Sequence, residues 1–291
     1  MVKVAERWTD YEIIATGDGR KLERWGNLIL LRPDPQVIWG SSFDLESYKG
    51  LSAVYRRSST GGGFWDYKRE VPDEFTVTRD GLKFSLKLMG FKHTGIFPEQ
   101  AVNWDETSEL IKKAGRPISV LNLFGYTGGA TVAALQAGAS VCHVDAAKAM
   151  VERCKKNVML SGLSDKPVRY IVDDCFKFVA RELKRGKRYD AIIMDPPSYG
   201  RGPGGEVWKC ETDLFDFVKV CARLLSDDPL FMLINSYTTG LQPTVLSNVL
   251  QKAVPKHISD KMTVSAYEVG LPTQEDGIVL PCGCSGLMKK R

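Results

Sequence analysis

From residue 116 onward the chain repeats one pattern, a short apolar run followed by a helical stretch, and few folds satisfy that rhythm. ISVLNLF leads through glycines into ATVAALQAGA, and SVCHVD leads into KAMVERCKKNVMLSG. VRYIVDD precedes a helix over 175–185, and YDAIIMD precedes a loop and then a helix over LFDFVKVCARLL. PLFMLINSY is followed by a helix over 243–254. Strands this uniformly apolar are buried on both faces, and strand–helix alternation builds a parallel sheet covered on both sides. The tail breaks the rhythm, because KMTVSAYEV and GIVLPCG are two strands with no helix between them, which predicts an antiparallel end to the sheet. The expected fold is α/β, a Rossmann-like, seven-stranded, mostly parallel sheet with helices on both faces, over residues 105–291.

Residues 1–104 follow a different pattern and are expected to form a smaller β-rich N-terminal domain that serves as a substrate-binding region. NLILL at 27–31 reads as a strand, stopped by the two prolines of RPDP. SSTGGGFW at 58–65 reads as a flexible loop. FTVTRD and LKFSLKLM alternate around Asp80-Gly81, a hairpin signal.

At 291 residues, 43% hydrophobic and 26% charged, the chain has the balance of a soluble protein with a core large enough to need no staple. Its seven cysteines form no C-x-x-C pair and are odd in number, which fits reduced thiols in a cytoplasmic protein and no structural metal. The three histidines, His93, His143 and His257, are far apart, and His143 inside an apolar strand reads as a packed core residue. No run of about 18 apolar residues predicts a membrane span, and the charged MVKVAERWTDYE lacks the apolar run of a signal peptide. A net charge of +5 permits a nucleic-acid partner without requiring one.

Four motifs fall on successive strand tips. Asn122–Ala130, NLFGYTGGA, joins the first strand to the first helix, where an open α/β sheet binds its ligand. Gly125, Gly128 and Gly129 permit a tight turn and a close approach of backbone to ligand; the bland alternative is an ordinary turn. Asp145 ends the second strand twenty residues after Gly125, where a carboxylate accepts from a ribose diol or caps a helix. Asp173 and Asp174 end the third, where a carboxylate can accept from an adenine amino group or, again, cap a helix. DPPSYG, Asp195–Gly200, ends the fourth: two prolines stiffen the loop and leave its carbonyls without competing N–H groups, and Tyr199 offers a face for stacking. RGPGGEVWK beyond it reads as a mobile flap or as an untidy surface loop. The dinucleotide fingerprint G-x-G-x-x-G is absent, which disfavours a nicotinamide-dependent oxidoreductase.

FKHTGIFPEQ, NLFGYTGG, VDAAK, DDCFKF, DPPSYGRG and LPCGCSGLM together resemble the S-adenosylmethionine-dependent methyltransferases related to the large-subunit ribosomal RNA methyltransferase I family, over nearly the whole chain. YEIIATGDGRKLERWGNLILLRPDPQVIW is similar to the N-terminal segment of one bacterial subgroup. The resemblance implies S-adenosyl-L-methionine as cofactor. It implies that Asn122, Phe124, Gly125, Tyr126, Thr127 and Gly128 line its methionine end, that Asp145 with Ala146 takes the ribose, and that Asp174 with Cys175 takes the adenine. Asp195, Pro196 and Tyr199 would border methyl transfer, and Phe97 and Gln100 would reach over the cofactor. Two departures stand out. The tip of the fifth strand, INSYTTG, has no cysteine where the cytosine-C5 enzymes of this superfamily carry a nucleophile, and Cys282 or Cys284 could replace it only if the last strand brings them to the site; buried inert cysteine is the usual case. The chain also shows no clear separate N-terminal RNA-binding domain of the kind those enzymes carry, so cytosine C5 chemistry is not expected.

The expected activity is methyl transfer to a ribosomal RNA base, with Asp195 and the Pro196 carbonyl orienting a nitrogen acceptor and Tyr199 stacking on it. Arg56, Arg57, Lys68, Arg69, Lys83, Lys87 and Lys92 are candidate phosphate contacts, or an ordinary solvated surface. The alternatives are a small-molecule or protein methyltransferase on the same scaffold, or a cofactor-binding module without catalysis. Oligomeric state leaves no mark in the sequence.

Overall fold

The computed structural model describes residues 1–58, 62–90, 92–201, 205, 207–238 and 240–291. The chain forms two compact units, one from residues 1–3, 103–269 and 283–291, the other from 4–102 and 270–282. Parts of the loops expected at 58–65 and 201–209 lie outside the described residues, as does Phe91.

The smaller unit is mainly antiparallel. After β1 (Val2–Val4) come β2 (Tyr11–Gly17), β3 (Arg20–Trp25), β4 (Leu28–Pro33), β5 (Leu51–Arg57) and β6 (Gly63–Tyr67), and β2 to β6 form a sheet in that order. β4 and β5 run parallel, while the other neighbours are antiparallel. β7 (Phe75–Arg79) and β8 (Leu82–Leu86) form the expected hairpin. Its turn residues Asp80 (φ 49°) and Gly81 (φ 83°) both sit in the left-handed region that a two-residue turn between twisted strands demands. Asp18 (φ 53°) and Gly19 (φ 74°) repeat the device between β2 and β3, a second Asp-Gly turn that the sequence reading passed over. Ala15, Leu22, Leu31, Leu45, Leu51 and Val54 make the core of this unit.

The larger unit opens with α1 (Ala101–Lys113), a helix for which no sequence expectation was formed. Then come β9 (Ser119–Leu123), α2 (Gly129–Gln136), β10 (Ser140–Asp145), α3 (Lys148–Leu160), β11 (Val168–Val172), α4 (Cys175–Lys184) and β12 (Ala191–Met194). A short hairpin, β13 (Tyr199–Arg201) with β14 (Val207–Lys209), precedes α5 (Cys210–Ala222), β15 (Phe231–Ser236), α6 (Pro243–Ala253) and the one-turn α7 (Lys256–Ser259). The strands β16 (Met262–Pro272) and β17 (Val279–Lys290) end the chain. The sheet has the order β1-β16-β17-β15-β12-β9-β10-β11, eight strands rather than seven because Val2–Val4 adds itself beside β16. The pairs among β15, β12, β9, β10 and β11 are parallel, and β17 is antiparallel to β15.

Period-two alternation divides the two faces. Leu121, Leu123, Cys142, Val144, Ile192, Met194, Met232 and Ile234 join one core with Phe178 and Val179 of α4, Phe217 and Val218 of α5, and Leu246 and Leu250 of α6. The intervening residues Asn122, His143 and Asn235 face the other way and are buried among polar partners. Asn122 donates to Thr131 of α2 at 2.9 Å, Thr131 shares a hydrogen bond with His143 Nδ1 at 2.9 Å, and Asn103 of α1 donates to Asn235 at 3.0 Å. From β9 the chain passes to β10 on one side, and the later strand β12 lies on the other. The crevice at the strand ends therefore opens at a topological switch point, where open α/β sheets hold their ligands.

Candidate functional site

The loop from β9 to α2 is held in an unusual conformation. Phe124 (φ 55°), Tyr126 (φ 50°) and Gly128 (φ 85°) all lie in the left-handed region, and the two aromatic residues each cost about 1 kcal/mol there. Hydrogen bonds fix them. Phe124 N donates to Cys175 Sγ at 3.3 Å, Gly125 N to the Val144 carbonyl at 2.9 Å, and Tyr126 N to Asp145 Oδ2 at 2.8 Å. Glycine is needed here because of what lies beneath the loop. A Cβ on Gly125 would stand 2.4 Å from the His143 ring, one on Gly128 would stand 2.2 Å from Cys154 Sγ, and one on Gly129 would stand 2.4 Å from the Trp104 ring. The loop is thus seated directly on three side chains.

Asp145 accepts from Tyr126 N through one oxygen and from Ala147 N, at 2.8 Å, through the other. It braces two loops and is half-buried, with burial raising its carboxyl pKa. Ala147, with no side-chain bond, is the N-cap of α3, so Asp145 is not that helix's cap. Asp174 does take the capping role, accepting from Lys177 N at 2.9 Å, and Asp173 pairs with Arg181. Ala146 is exposed. The side chains of Asn122, Thr127 and Cys175 are only 3%, 1% and 3% exposed and belong to the underside of the site. Asn157 donates to the Thr127 carbonyl at 2.9 Å. Burial pushes the Cys175 thiol up to about 12.

The DPPSY segment is clamped from behind. Trp208 Nε1 donates to the Pro197 carbonyl at 2.6 Å, Thr238 Oγ1 donates to Ser198 Oγ at 2.8 Å, and Cys210 N donates to the Ser198 carbonyl at 3.0 Å. Pro196 is buried, Asp195 is half-buried, and Tyr199 is 51% exposed with its hydroxyl accepting from Arg201 Nε at 2.7 Å. Trp208, Phe176 and Phe217 form an aromatic cluster with Phe124 of the β9–α2 loop, at centroid distances from 4.3 to 6.2 Å. No sequence reading singled out Trp208, Phe176 or Phe217. Their signal is distributed over three separate elements and appears only once the chain is folded.

The tips of β12, β9, β10 and β11 are neighbours, so Phe124, Gly125, Tyr126, Gly128, Asp145, Asp174, Asp195, Pro196 and Tyr199 converge on one edge of one sheet. Phe97 and Gln100 belong to the other unit. At the fifth tip, β17 brings Cys284 opposite Ser236, but the thiol points into the α6-side core, donates to the Leu241 carbonyl at 3.0 Å and is pushed up to about 11 by burial. Cys282 lies in the other unit and its thiol is raised by burial as well. Neither is a ready nucleophile. His143 is fully buried and held down to about 4 by burial, a neutral core residue. Among the described residues no group of three His, Cys, Asp or Glu side chains is arranged to hold a metal, and no helix is long and apolar enough to cross a membrane.

The site fits a sulfonium nucleoside: a carboxylate fixed at the second tip, backbone turned outward at the first, and a stiff polar loop at the fourth. Comparison with known proteins agrees. The chain is 31% identical to a SAM-dependent methyltransferase from Agrobacterium tumefaciens of known crystal structure, covering 100% of this chain and 94% of that one with a TM-score of 0.92. It is 23% identical over 269 residues to ribosomal RNA large subunit methyltransferase K of Neisseria meningitidis, covering 87% of this chain and 75% of that protein. It is 32% identical over 218 residues to ribosomal RNA large subunit methyltransferase I of Tolumonas auensis, covering 72% of this chain and 53% of that protein. Of the longer K/L methyltransferase of Shewanella baltica it spans 20%. Residues 24–249 match the family described as S-adenosylmethionine-dependent methyltransferase. The chain is therefore an enzyme that uses S-adenosyl-L-methionine and belongs to the S-adenosylmethionine-dependent methyltransferase family, related to the large-subunit ribosomal RNA methyltransferases.

Proposed function

We propose that this enzyme methylates a ring or amino nitrogen of a base in ribosomal RNA, in the cytoplasm. The cofactor supplies a methyl group already made electrophilic by its sulfonium, so the protein's task is alignment and exclusion of water. Residues 105–291 hold the cofactor: Asp145 and Ala146 take the ribose, Asp174 and Cys175 take the adenine, and the loop from Asn122 to Gly128 takes the methionine end. Residues 1–104 engage the substrate.

One observation carries the choice of acceptor. The Pro197 carbonyl and Ser198 are occupied by Trp208, Thr238 and Cys210, whereas no hydrogen bond engages the Pro196 carbonyl among the described residues. That carbonyl presents an acceptor to the N–H edge of a planar base next to the Asp195 carboxylate, and the half-exposed ring of Tyr199 offers it a stacking face. A base inside a duplex cannot reach such a loop, so the target is single-stranded or flipped out. Support for RNA comes from the named activities of the relatives, and support for nitrogen comes from the engaged, protonated state of Cys284. A small-molecule substrate is favoured by one fact. Arg56, Lys68 and Arg69, three of the candidate phosphate contacts, are spent on Glu46, Asp66, Ser52 and the Asn27 carbonyl. The deciding experiment transfers labelled methyl to ribosomal RNA from a strain lacking the gene and from its parent, with Asp195→Ala as control. Labelling of deletion-strain RNA alone, lost in the variant while cofactor affinity is kept, supports the reading; equal labelling of both RNAs ends it.

A further inference from the structure

At one end of the five-stranded sheet in the smaller unit, three strands deliver cations. Arg20 and Lys21 begin β3, Arg32 lies near the end of β4, and Arg56 and Arg57 end β5. Lys21 is the direct cross-strand partner of Arg32. Lys92 stands beside them, its carbonyl accepting from Arg32 Nη1 at 2.8 Å and its ammonium donating to the Pro33 carbonyl at 3.3 Å.

The carboxylates near this end are already committed. Glu23 takes Arg32 through both oxygens at 2.6 and 2.8 Å, and Asp34 pairs with Lys21 at 3.1 Å. Glu46 holds Arg20 at 2.7 Å and Arg56 at 2.6 Å, and Asp66 holds Arg56 at 3.2 Å and Lys68 at 2.8 Å. Among the described residues no carboxylate lies within ion-pair distance of Lys92 or Arg57. The charged groups that bear most on Lys92 are Lys21, Arg32 and Arg57, with Asp34 opposing them, and burial together with those cations lowers its ammonium pKa.

Lys92 is also held in place. The Met89, Gly90 and Lys92 carbonyls accept from Trp65 Nε1 at 2.8 Å, Tyr55 Oη at 2.6 Å and Arg32. Arg32 is itself fixed by Glu23, which accepts from Tyr11 Oη at 2.8 Å. Lys92 adopts φ 58°, a strained conformation for a lysine. Lys92 is thus a cation on a strained, hydrogen-bonded backbone with few carboxylates near it, a setting in which a charge-assisted bond to an incoming anion is strong.

We propose that Lys92 and Arg57 form a phosphate-binding site for the backbone of a single-stranded RNA. The neighbouring surface suits that ligand over a free anion. Phe64, 61% exposed, lies opposite Arg56 on β6 and next to Gly63, the cross-strand partner of Arg57. An exposed aromatic ring one residue along the edge strand from the partner of an arginine left unpaired among the described residues suits a single strand, whose bases stack while charge tracks the phosphates.

The inference rests on the RNA reading of the function, and the test separates the two. The full-length protein is titrated against a fluorescein-labelled single-stranded RNA of mixed sequence, by anisotropy at several salt concentrations. Lys92→Ala and Arg57→Ala each weaken binding about fivefold and make the salt dependence shallower by about 0.7 in log–log slope, whereas Lys92→Arg retains both. Lys68→Ala, whose ammonium is paired with Asp66, changes little, and S-adenosylhomocysteine affinity stays constant throughout. If the double variant binds RNA as the wild type does, this site is wrong while the RNA reading survives. If the wild type shows no salt-sensitive affinity for RNA, both fall. Loss of S-adenosylhomocysteine binding in step with RNA binding overturns the assignment in favour of the cofactor's carboxylate. So does displacement of the RNA by inorganic phosphate at constant ionic strength, in favour of a small-anion site.

Discussion

Replacing Gly125 by alanine tests how the loop proposed to hold the cofactor is supported. Gly125 has an ordinary negative φ, so alanine brings no backbone strain; its methyl carbon, however, would lie 2.4 Å from His143 Cε1 and 2.5 Å from Nδ1. Ordinary contact begins near 3.4 Å, so loop or ring must yield by about 1 Å. The ring is fully buried and bonded to Thr131 at 2.9 Å, so the loop is the part that rises. Such a rise strains the bonds from Gly125 N to Val144 and from Tyr126 N to Asp145. Overpacking of this kind costs about 1–3 kcal/mol of stability. The displaced loop should bind S-adenosylhomocysteine about 10- to 100-fold more weakly, about 1.4–2.7 kcal/mol. The assay is urea unfolding with calorimetry on Gly125→Ala, His143→Ala and the double variant. His143→Ala removes the obstructing ring, so the double variant is more stable than the sum of the single losses by about 1–2 kcal/mol. Additive losses, with no coupling above about 0.5 kcal/mol, would refute the idea that the loop sits on that ring.

Trp208→Phe keeps the ring and removes only the bond to the Pro197 carbonyl; the turnover rate should fall about tenfold with cofactor affinity unchanged, and an unaltered rate would show that the clamp is idle. Cys284→Ala should retain methyl transfer within about threefold, because the thiol is engaged with Leu241 and protonated near neutrality; a loss beyond about a hundredfold would restore it as a nucleophile. His143 is held near 4 while its unfolded value is 6.5, so the unfolded chain binds the extra proton first. Its contribution is present above pH 6.5 and declines as pH falls toward 4. Between pH 6.5 and 5 the slope of up to about 1.4 kcal/mol per pH unit removes up to about 2 kcal/mol. Urea unfolding at both pH values, repeated on His143→Gln, should find the decline much reduced in the variant; an unchanged decline assigns it elsewhere.

Much of the larger unit was legible because its strands are apolar on both sides and its helices are not, a contrast that survives in the linear chain. The strand Ser140–Asp145, the glycine turn and the Asp-Gly hairpin came through, and PLFMLINSY overran the strand Phe231–Ser236 at both ends. Helix α1 did not, since AVNWDETSELIKK carries polar residues such as Asn103 on its buried face, where they bond to Asn235 and Ser285 rather than to apolar neighbours. The candidate tips were readable as motifs, but what each side chain does was not. Asn122 and Cys175 look alike in sequence whether they face a ligand or a core, and only packing distinguishes the two. The basic residues of the smaller unit illustrate the same limit, because the partners that silence Arg56 and Lys68 lie on other strands.

The two units are interleaved along the chain, which passes from one to the other after Lys3, Val102, Val269 and Cys282. No single cut can therefore release either as a self-contained piece. A fragment beginning at residue 105 would lack the edge strand at the N-terminus and would carry residues 270–282 stripped of the body they fold with. Insertions and truncations of this enzyme are constrained by those four crossings, because each ties a segment of one unit to the chain of the other.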